Sequence, residues 1–521
     1  MNIPMTTHQR ELQNRLRAPQ IAGEEVLYFG PALAAAAARN PSKAAVIDGD
    51  VVLDWAEFYA RAARVAGQLT ARGFGRGDMV AGLSENSSDY LTLYCGVLLS
   101  GACMVPLPQS AALPALKKMR ADCGAALLFT SAAQREVADQ LGAEDVVDLA
   151  ALTAWAGEEA IAAPADVASD DLFDMIYSSG TTGTPKGIAH DHRFRARQLT
   201  RMPAFGLDGE AVLMMSTPLY SNTTLVAALP VLAAGGTVVS MPKFDAGRFL
   251  ELSQAHRVSH AMLVPVQYMR LMDHPDFDQY DLSAYRAKMS TSAPLPGKLI
   301  ERILARWPGE LFEVYGMTEG GVSTVLNCRE NPTKLDTVGK PAEGCDVRII
   351  DEEGRELPPT EYGEIVGRSG SMMPGYYNAQ DKTDEILWRD AQGNDFIRTG
   401  DMGRFDEDGF LQLLDRRKDM IISGGFNIYA TDLEQVLRAH PAVADVAVIA
   451  IPSQAWGETP LGLVVRKAGA SDSAEEICEA ANAQLGKTQR LSKVELREDL
   501  PRSEIGKILK RELRDEYWPK A

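Results

Sequence analysis

The chain has 521 residues, of which 45% are hydrophobic, and a formal net charge of −18. This length allows roughly two to four domains with sizeable cores. The acidic balance excludes proteins that bind nucleic acid or anionic membranes mainly through overall positive charge. The six cysteines are scattered without a CxxC pair, which predicts neither a zinc site nor a disulfide framework and favours a reducing, cytoplasmic location.

The N-terminal segment MNIPMTTHQRELQNRLRAPQ is polar and lacks the apolar core of a signal peptide, so no export is expected. Residues 90–116 and 211–242 carry no charged side chain. Because Pro, Gly, Ser, Thr or Asn interrupts each stretch, both are predicted to be buried helix–strand pairs rather than membrane spans. The predicted helices are 90–102 and 224–234, and the predicted strands are 103–107 and 237–241.

From about residue 45 to residue 270, short β-rich runs alternate with amphipathic helical patterns. The predicted strands there also include 44–47, 79–83, 126–129 and 261–264, and the predicted helices include 55–72 and 246–254. This alternation predicts an α/β fold, a large multilayered N-terminal domain with largely parallel sheets. Gly/Pro-rich turns around short strands at 347–350 and 364–366 predict a barrel-like, more antiparallel region within 338–375.

A charged segment at 416–419, followed by the glycine pair Gly424–Gly425, predicts a domain boundary. The predicted domains are residues 1–416 and a small α+β domain of residues 417–521. Its predicted helices are 431–440 and 507–516, and its predicted strands are 443–451 and 462–465.

The segment SSGTTGTPKG at 178–187 follows an apolar run and is built only of Gly, Ser, Thr, Pro and Lys. Glycines allow close backbone approach to an anion, successive N–H groups and hydroxyls donate to it, and one lysine adds charge. The segment predicts a polyphosphate site, although an ordinary surface turn has a similar composition. It is not a Walker A loop, because Pro185 and Gly187 replace the Gly and Ser/Thr which that motif needs.

Four further segments accompany this loop along the chain: YGMTEGG at 315, RTGDMGRFDEDGF at 398, LLDRRKDMIISGGFNIYATDLE at 413 and PRSEIGKILKREL at 501. With these five segments in this order, the chain resembles the adenylate-forming superfamily, which includes acyl-CoA synthetases such as 4-coumarate and 4-chlorobenzoate CoA ligases, luciferases and peptide-synthetase adenylation domains. The resemblance runs from about residue 25 to residue 515. It implies ATP, Mg²⁺ and coenzyme A as cofactors or substrates.

The resemblance implies a role for each matched position in the first two segments. The loop would close over the β- and γ-phosphates of ATP, with Lys186 as an electrostatic contact, through Ser178, Ser179, Gly180, Thr181, Thr182, Gly183 and Thr184. Tyr315 offers an aromatic face to adenine and Gly316 permits its close approach. Thr318 and Glu319 would be catalytic beside the phosphates, with Glu319 as the Mg²⁺ ligand.

The resemblance assigns the remaining three segments to the ribose site, to the hinge and the thiol tunnel, and to the catalytic lysine. Asp401 would accept both ribose hydroxyls, since a carboxylate takes two donors at once, and Arg416 would lie nearby. The resemblance makes Lys418 the hinge and Gly424 with Gly425 the lining of the thiol tunnel. Lys507 matches the lysine that reaches the substrate carboxylate and the α-phosphate, where a cation offsets charge developing between two anions.

The acyl pocket is expected around residues 220–224, 262–266, 292–294 and 316–317, and Gly320 and Gly321 are expected to leave space. Its named candidates are Tyr220, Ser221, Val264 and Met317; the neighbouring Ser292, Ala293 and Pro294 are also assigned to the nucleotide. Ser221 stands where many relatives carry histidine in a PxxH segment, so it either changes the cavity or simply packs. Phe426 and Ala430 also depart from the common Glu and Pro, and His192 is interpreted as structural.

The predicted reaction has two halves: the acid attacks Mg·ATP to form an acyl-adenylate and pyrophosphate, and a thiol then displaces AMP. Because the sequence leaves little room after Lys507 for a fused carrier domain, free coenzyme A is the expected thiol. The mostly apolar pocket segments carry no acidic side chain, which favours an aliphatic or aromatic acid over an amino acid. Two alternatives remain: a ligase that loads a separate carrier protein, and a catalytically silent nucleotide- or acyl-CoA-binding regulator. The acid and the oligomeric state, a homodimer included, stay open.

Overall fold

The computed structural model describes residues 27–178, 185–416, 419, 421–423, 426–428, 430–453, 456–485, 490–502 and 508–518. Several predicted site residues lie outside this range: Ser179, Gly180, Thr181, Thr182, Gly183, Thr184, Lys418, Gly424, Gly425 and Lys507. For Ser178 and Arg416, the backbone alone is described.

Within these residues the strands, in chain order, are β1 Ala44–Asp48, β2 Val51–Asp54, β3 Met79–Leu83, β4 Cys103–Pro106, β5 Leu127–Thr130, β6 Asp145–Asp148, β7 Leu172–Ser178, β8 Lys186–Asp191, β9 Val212–Met215, β10 Thr237–Ser240, β11 His260–Leu263, β12 Ala287–Ser290, β13 Glu310–Gly316, β14 Ser323–Asn327, β15 Lys340–Pro341, β16 Asp346–Ile350, β17 Glu356–Leu357, β18 Gly363–Arg368, β19 Gly375–Tyr376, β20 Leu387–Arg389, β21 Asp395–Phe405, β22 Leu411–Arg416, β23 Ile421–Ser423, β24 Phe426–Ile428, β25 Val443–Ser453, β26 Gly457–Arg466 and β27 Lys493–Arg497.

The α-helices of the same residues are Phe29–Arg39, Trp55–Ala71, Ser88–Leu99, Leu113–Cys123, Arg135–Asp139, Leu152–Ala156, His192–Arg201, Asn222–Ala234, Ala246–Ala255, Pro265–Met272, Gly297–Arg306, Gln380–Glu385, Ala430–Ala439, Ala474–Asn482 and Lys510–Asp515. Short 3₁₀ helices span Ala132–Gln134, Leu149–Ala151, Met202–Phe205 and Phe277–Gln279. The strand predicted at 79–83 is confirmed residue for residue. The last helix was predicted to begin at Lys507, which is wrong, since it begins at Lys510.

Two largely parallel sheets and the helices between them build the larger part of the fold. One sheet has the order β15-β14-β13-β12-β11-β9-β10-β1-β2 and the other β19-β8-β7-β4-β3-β5-β6. Both ends of the first sheet are antiparallel, as is one end of the second, where the β7–β8 hairpin carries the predicted phosphate loop; the other end, β5–β6, is parallel. The predicted α/β class with parallel sheets is confirmed.

The two uncharged sequence stretches form helices packed inside one apolar core. Helix Ser88–Leu99 is buried throughout, and Asn222–Ala234 is buried along most of its length. Their core includes side chains from both sheets, such as Val80 of β3 and Val238 of β10. A helix covered on all sides needs no polar face, which explains the missing charges. No helix in the described part of the chain is long and apolar enough to cross a membrane.

A third sheet has the order β17-β16-β18-β21-β20, with β22 also on β21; its pairs β16–β17, β20–β21 and β21–β22 are antiparallel. A fourth has the order β24-β23-β26-β25, with β27 parallel to β26. The apolar face of helix Ala430–Ala439 packs on β25 and β26 in a separate core, as expected for a small α+β domain.

Contacts divide the chain into two compact units. One takes the described residues up to Val347 together with Gly367–Ile397, and the other takes Arg348–Val366 together with those from Arg398 onward. The chain therefore passes between the units within β16, β18 and β21. The predicted functional division after Arg416 stays a prediction.

Candidate active site

The ends of the β7–β8 hairpin position the predicted phosphate loop. Tyr177 lies opposite Gly187 and Ser178 opposite Lys186, so the loop leaves and re-enters the sheet at adjacent backbone positions. A Cβ atom on Gly187 would lie 2.6 Å from the Met175 sulfur, which accounts for glycine there. The hairpin therefore gives the loop a fixed base in the sheet.

The segment predicted to bind adenine and phosphate follows the end of β13. Tyr315 is half-buried and Gly316 is exposed, which leaves the aromatic ring accessible beside an open backbone. Gly320 and Gly321 have φ values of 77° and 83°, and a Cβ on Gly320 would come within 1.9 Å of the Ser371 carbonyl oxygen. These glycines thus serve a tight turn packed against neighbouring backbone, a different reason from the predicted open space for an acyl group.

Tyr376 connects this turn to the phosphate-loop hairpin, and sequence reasoning missed it. Its hydroxyl donates to Glu319 Oε1 at 2.8 Å, while Lys186 Nζ lies 4.7 Å from the centre of its ring. A phenol hydrogen bond fixes the carboxylate, and the cation–ring contact restrains the lysine. The sequence did offer a signal for Tyr376: it is an aromatic residue directly after Gly375, at the end of the glycine-rich region.

The donor chemistry fits a magnesium ion carried in with nucleotide. In the described residues no group of three or more His, Cys, Asp or Glu side chains could hold a metal. Mg²⁺ in nucleotide sites is commonly bound through one or two carboxylates, with phosphate oxygens and water completing its shell. Glu319, half-buried and oriented by Tyr376, is a carboxylate suited to that role.

The predicted acyl-pocket segments are partly linked by hydroxyl contacts. Ser221, the residue in place of the common histidine, is buried and caps helix Asn222–Ala234 by accepting from the Thr223 N–H at 3.3 Å. Thr223 Oγ1 in turn lies 3.0 Å from Ser292 Oγ, which brings the helix start and the 292–294 segment together. Ser221 therefore has a structural role of its own.

The other acyl-pocket candidates occupy separate positions. Tyr220 OH lies 3.4 Å from Ser110 Oγ. Val264 is buried immediately before helix Pro265–Met272, and Met317 is half-buried against Met372 and Ile397.

A buried carboxyl group holds the segment that contains Ser292, Ala293 and Pro294. Ser292 has a φ of 76°, unusual for a residue other than glycine. Just beyond it, the Leu295 N–H donates to Glu313 Oε1 at 3.2 Å. Burial raises the pKa of Glu313 to about 8, because an apolar environment disfavours the carboxylate. The neutral acid is therefore the predominant form in the folded protein at neutral pH.

Glu313→Gln is expected to make the protein less sensitive to alkaline pH. The folded-state pKa of Glu313 lies above its unfolded value, so stability is retained below the unfolded pKa and falls as pH rises towards about 8. Glutamine stays neutral and keeps an oxygen acceptor for Leu295. Melting temperatures measured from pH 5 to pH 9 are expected to fall more steeply for the wild type, and parallel curves would contradict the assigned ionisation.

The predicted ribose pair is brought together by strand register in the other unit. Asp401 of β21 lies directly opposite Arg416 of β22, and the Asp401 N–H donates to Thr399 Oγ1 at 3.0 Å. Thr399 Oγ1 also donates to the Ile365 carbonyl at 2.9 Å. The preceding Arg398 forms an ion pair with Glu364. The RTGD segment, residues 398–401, is thereby held by β18 on one side and by β22 on the other.

His192 lies at the start of helix His192–Arg201, where its ring is 5.1 Å from that of Phe173. This packing agrees with the structural interpretation of His192. Three other polar residues on and beside the β7–β8 hairpin, Asp174, His190 and Arg195, were not singled out from the sequence. Asp174 interrupts an apolar strand, whereas His190 and Arg195 stand among other charged residues.

Comparisons with known proteins identify the family of the chain. The family described as AMP-binding enzyme matches residues 33–377, and the AMP-binding enzyme C-terminal domain matches residues 432–507. A feruloyl-CoA synthase from Amycolatopsis sp is 34% identical over 489 residues, covering 92% of this chain and 97% of that protein. A fatty acid–[acyl-carrier-protein] ligase, ScoC from Streptomyces coeruleorubidus, is 31% identical over 498 residues, covering 92% and 95%.

Among solved structures, ATP-bound MatB from Rhodopseudomonas palustris matches with a TM-score of 0.85 at 30% identity, covering 94% of this chain and 99% of that one. The chain belongs to the AMP-binding enzyme family, the adenylate-forming superfamily predicted from the five segments. The predicted enzyme class, an AMP-forming acid–thiol ligase of the acyl-CoA synthetase type, is thereby confirmed.

Proposed function

We propose that this protein is an ATP- and Mg²⁺-dependent acyl-CoA synthetase that activates an aromatic or aliphatic carboxylic acid and transfers it to free coenzyme A. The observation that carries the proposal is the contact of Tyr376 with both Glu319 and Lys186. This contact joins two elements. One is the turn that contains Glu319, which the resemblance assigns to metal and phosphate; the other is the β7–β8 hairpin, whose loop it assigns to the polyphosphate. An enzyme that uses ATP needs both elements to contact the same triphosphate.

In the first half-reaction, a carboxylate oxygen of the acid attacks the α-phosphorus, the α–β phosphoanhydride bond breaks, and pyrophosphate leaves. Glu319 would hold the magnesium ion, which offsets phosphate charge when bound. Lys186 would lie along the departing phosphates, and Lys507 would lie between carboxylate and α-phosphate. Asp401 and Arg416 would orient the ribose, so that binding energy far from the reacting bond positions the phosphorus for attack.

In the second half-reaction, the thiolate sulfur attacks the acyl carbon and AMP leaves with the bonding electron pair. The resemblance assigns the exchange between halves to rotation at Lys418, after which Gly424 and Gly425 would line the thiol path. Glycine at both positions removes side chains that would block a narrow passage.

The acid class follows from the side chains of the pocket segments. Residues 220–224, 262–266, 292–294 and 316–317 contribute hydroxyls, the Asn222 amide and apolar groups but no carboxylate in the sequence. An ammonium group of an amino acid would therefore lack a charged partner there. The feruloyl-CoA synthase relative supports an aromatic acid, whereas the fatty-acid ligase relative supports an aliphatic one.

Acid-dependent pyrophosphate release, measured with a panel of aromatic and aliphatic acids, tests this proposal. Each acid is supplied with Mg·ATP and either coenzyme A, a phosphopantetheinylated carrier protein, or no thiol. We expect thioester formation with coenzyme A and at least one acid of the panel. Thioester on the carrier alone would identify a carrier-loading ligase, which the ScoC relative makes the second candidate. If no acid of the panel leads to pyrophosphate release, the catalytically silent regulator becomes the supported alternative.

A further inference from the structure

A cluster of buried polar side chains lies behind the phosphate-loop hairpin. Asp174 of β7 and His190 of β8 are both 0% exposed, and Arg195 of helix His192–Arg201 is 1% exposed. Tyr94, from helix Ser88–Leu99, completes the cluster and is also fully buried. Charged side chains this deep in a protein are rare unless paired, so the cluster requires an explanation beyond core packing.

Asp174 is the centre of this cluster. Its Oδ1 lies 2.6 Å from His190 Nδ1, and its Oδ2 accepts from Arg195 Nη2 and Tyr94 OH, each at 2.6 Å. Burial disfavours the carboxylate, but Arg195 and His190 outweigh it and lower the pKa of Asp174 to about 2. The carboxylate is therefore ionised and held from three sides.

Arg195 extends the cluster towards the acyl-pocket helix. Its Nη1 donates to Asn222 Oδ1 at 2.8 Å and to Gln198 Oε1 at 2.7 Å. Asn222 is the first residue of helix Asn222–Ala234, directly after the cap Ser221.

The other end of the cluster reaches the catalytic turn. His190 Nε2 lies 2.8 Å from the carbonyl oxygen of Thr318, a contact that requires a proton on Nε2 because the carbonyl only accepts. The opposite nitrogen, Nδ1, lies between the Asp174 carboxylate and Arg195 Nη2, the latter 3.0 Å away. The ring also stacks on Phe194 with centroids 4.0 Å apart. These contacts leave His190 one orientation.

The Thr318 carbonyl belongs to the peptide that joins Thr318 to Glu319. On the far side of this peptide, the Glu319 carbonyl accepts from the Met373 N–H at 2.9 Å, and the Glu319 side chain accepts from Tyr376. His190 supplies the contact from the side of the hairpin. Asp174 lies opposite His190 in the same hairpin that pairs Ser178 with Lys186, so one hairpin carries both the histidine and the residues that flank the predicted loop.

We propose that His190 is a positioning residue for the adenylation half-reaction: its Nε2–H holds the Thr318–Glu319 peptide in register with the phosphate-loop hairpin, and Asp174 with Arg195 orients the ring. The inference rests on the proposed function and deepens it. His190 itself touches neither nucleotide nor acid. Its effect is on where the Thr318 hydroxyl and the Glu319 carboxylate stand relative to the triphosphate.

Three substitutions of His190 separate its two hydrogen bonds. His190→Gln places an amide N–H near the Nε2 position and keeps a donor for Thr318, while His190→Asn places an amide near the Nδ1 position and loses Thr318. His190→Leu removes both ring nitrogens. We expect pyrophosphate release to fall about 10- to 100-fold in the Asn and Leu variants and to stay within about threefold of wild type in the Gln variant.

Two further measurements distinguish positioning from loss of structure. Thioester formation from supplied acyl-adenylate is expected to stay within about twofold of wild type in all three variants, because that half-reaction does not use the triphosphate. Equilibrium binding of Mg·ATP in the absence of acid is expected to weaken in the Asn and Leu variants alone. His260→Leu is the matched control, since His260 is fully buried and hydrogen-bonded to Ser259 rather than to the site.

Equal losses in both half-reactions, or equal losses in the Gln and Asn variants, would overturn the inference. So would an effect of His260→Leu as large as that of His190→Leu on adenylation. If wild type releases no pyrophosphate with any acid, the proposed function fails instead. The Mg·ATP binding series then still tests whether His190 positions the turn.

Discussion

Lys507→Ala is expected to lower acid-dependent pyrophosphate release by about 10²- to 10³-fold, while thioester formation from supplied acyl-adenylate continues. Two anions must approach each other in adenylation, and a cation placed between them stabilises the charge that develops in the transition state. In the thioester half-reaction the attacking thiolate meets an adenylate that has already formed, so the same cation is not required. The split between half-reactions, measured separately on one protein preparation, is the diagnostic result.

Arg511→Ala is a suitable control for that experiment. Arg511 is exposed on helix Lys510–Asp515, four positions after Lys507, and its removal deletes a positive charge of the same local region. Both half-reactions are expected to remain near wild type in this variant. A comparable loss of both half-reactions in Lys507→Ala would contradict the assigned role of Lys507, and equal effects of the two variants would indicate a general effect of charge.

Glu319→Gln is expected to lower adenylation by about 10²-fold or more and to raise the Mg²⁺ concentration needed for half-maximal rate. Glutamine keeps the shape and an oxygen acceptor for Tyr376, but it removes the negative charge that a magnesium ligand needs. The measurement is pyrophosphate release as a function of Mg²⁺ at fixed ATP. Binding of Mg·ATP gives a second readout, independent of turnover.

Tyr376→Phe provides the comparison for Glu319. It removes the hydroxyl that donates to Glu319 Oε1 and leaves the ring that faces Lys186. Because the carboxylate itself remains, we expect a smaller loss, about tenfold, with an unchanged Mg²⁺ requirement. An unchanged Mg²⁺ dependence in Glu319→Gln would show that the ion is bound elsewhere.

Much of the fold could be predicted from local sequence patterns. The strand at 79–83 and the helix beginning at Trp55 are continuous apolar or amphipathic runs bounded by clear turn signals, so their periodicity alone defines them. The helix predicted to start at Lys507 begins at Lys510 instead, because Ile508 pairs with Arg502 in an isolated β-bridge and Leu509 is not helical; local periodicity does not show that contact. Pairing order among parallel strands was beyond local patterns, since each partner comes from a distant part of the chain.

Some residues of the candidate site could be selected from the sequence, and others could not. Thr318, Glu319 and Lys186 could be selected as candidates from the sequence, because each lies in a short segment that matches a motif of the family. Tyr376 and His190 were missed, because the contacts that give them meaning join residues 57 and 128 positions apart. Asp174 was visible as a charged residue within an apolar strand, but nothing in the sequence identified its partner.

By itself, the sequence determined the family, the reaction class and the types of chemical group at each matched position, because these depend on which side chains occur in which order. Only the tertiary structure decided that Ser221 caps a helix, that Gly320 and Gly321 lie tight against backbone, and that Asp174, His190 and Arg195 form one buried cluster reaching Thr318. The physical reason is that burial and hydrogen-bond geometry depend on distances between residues remote in the chain, and those distances exist only once the sheets have assembled.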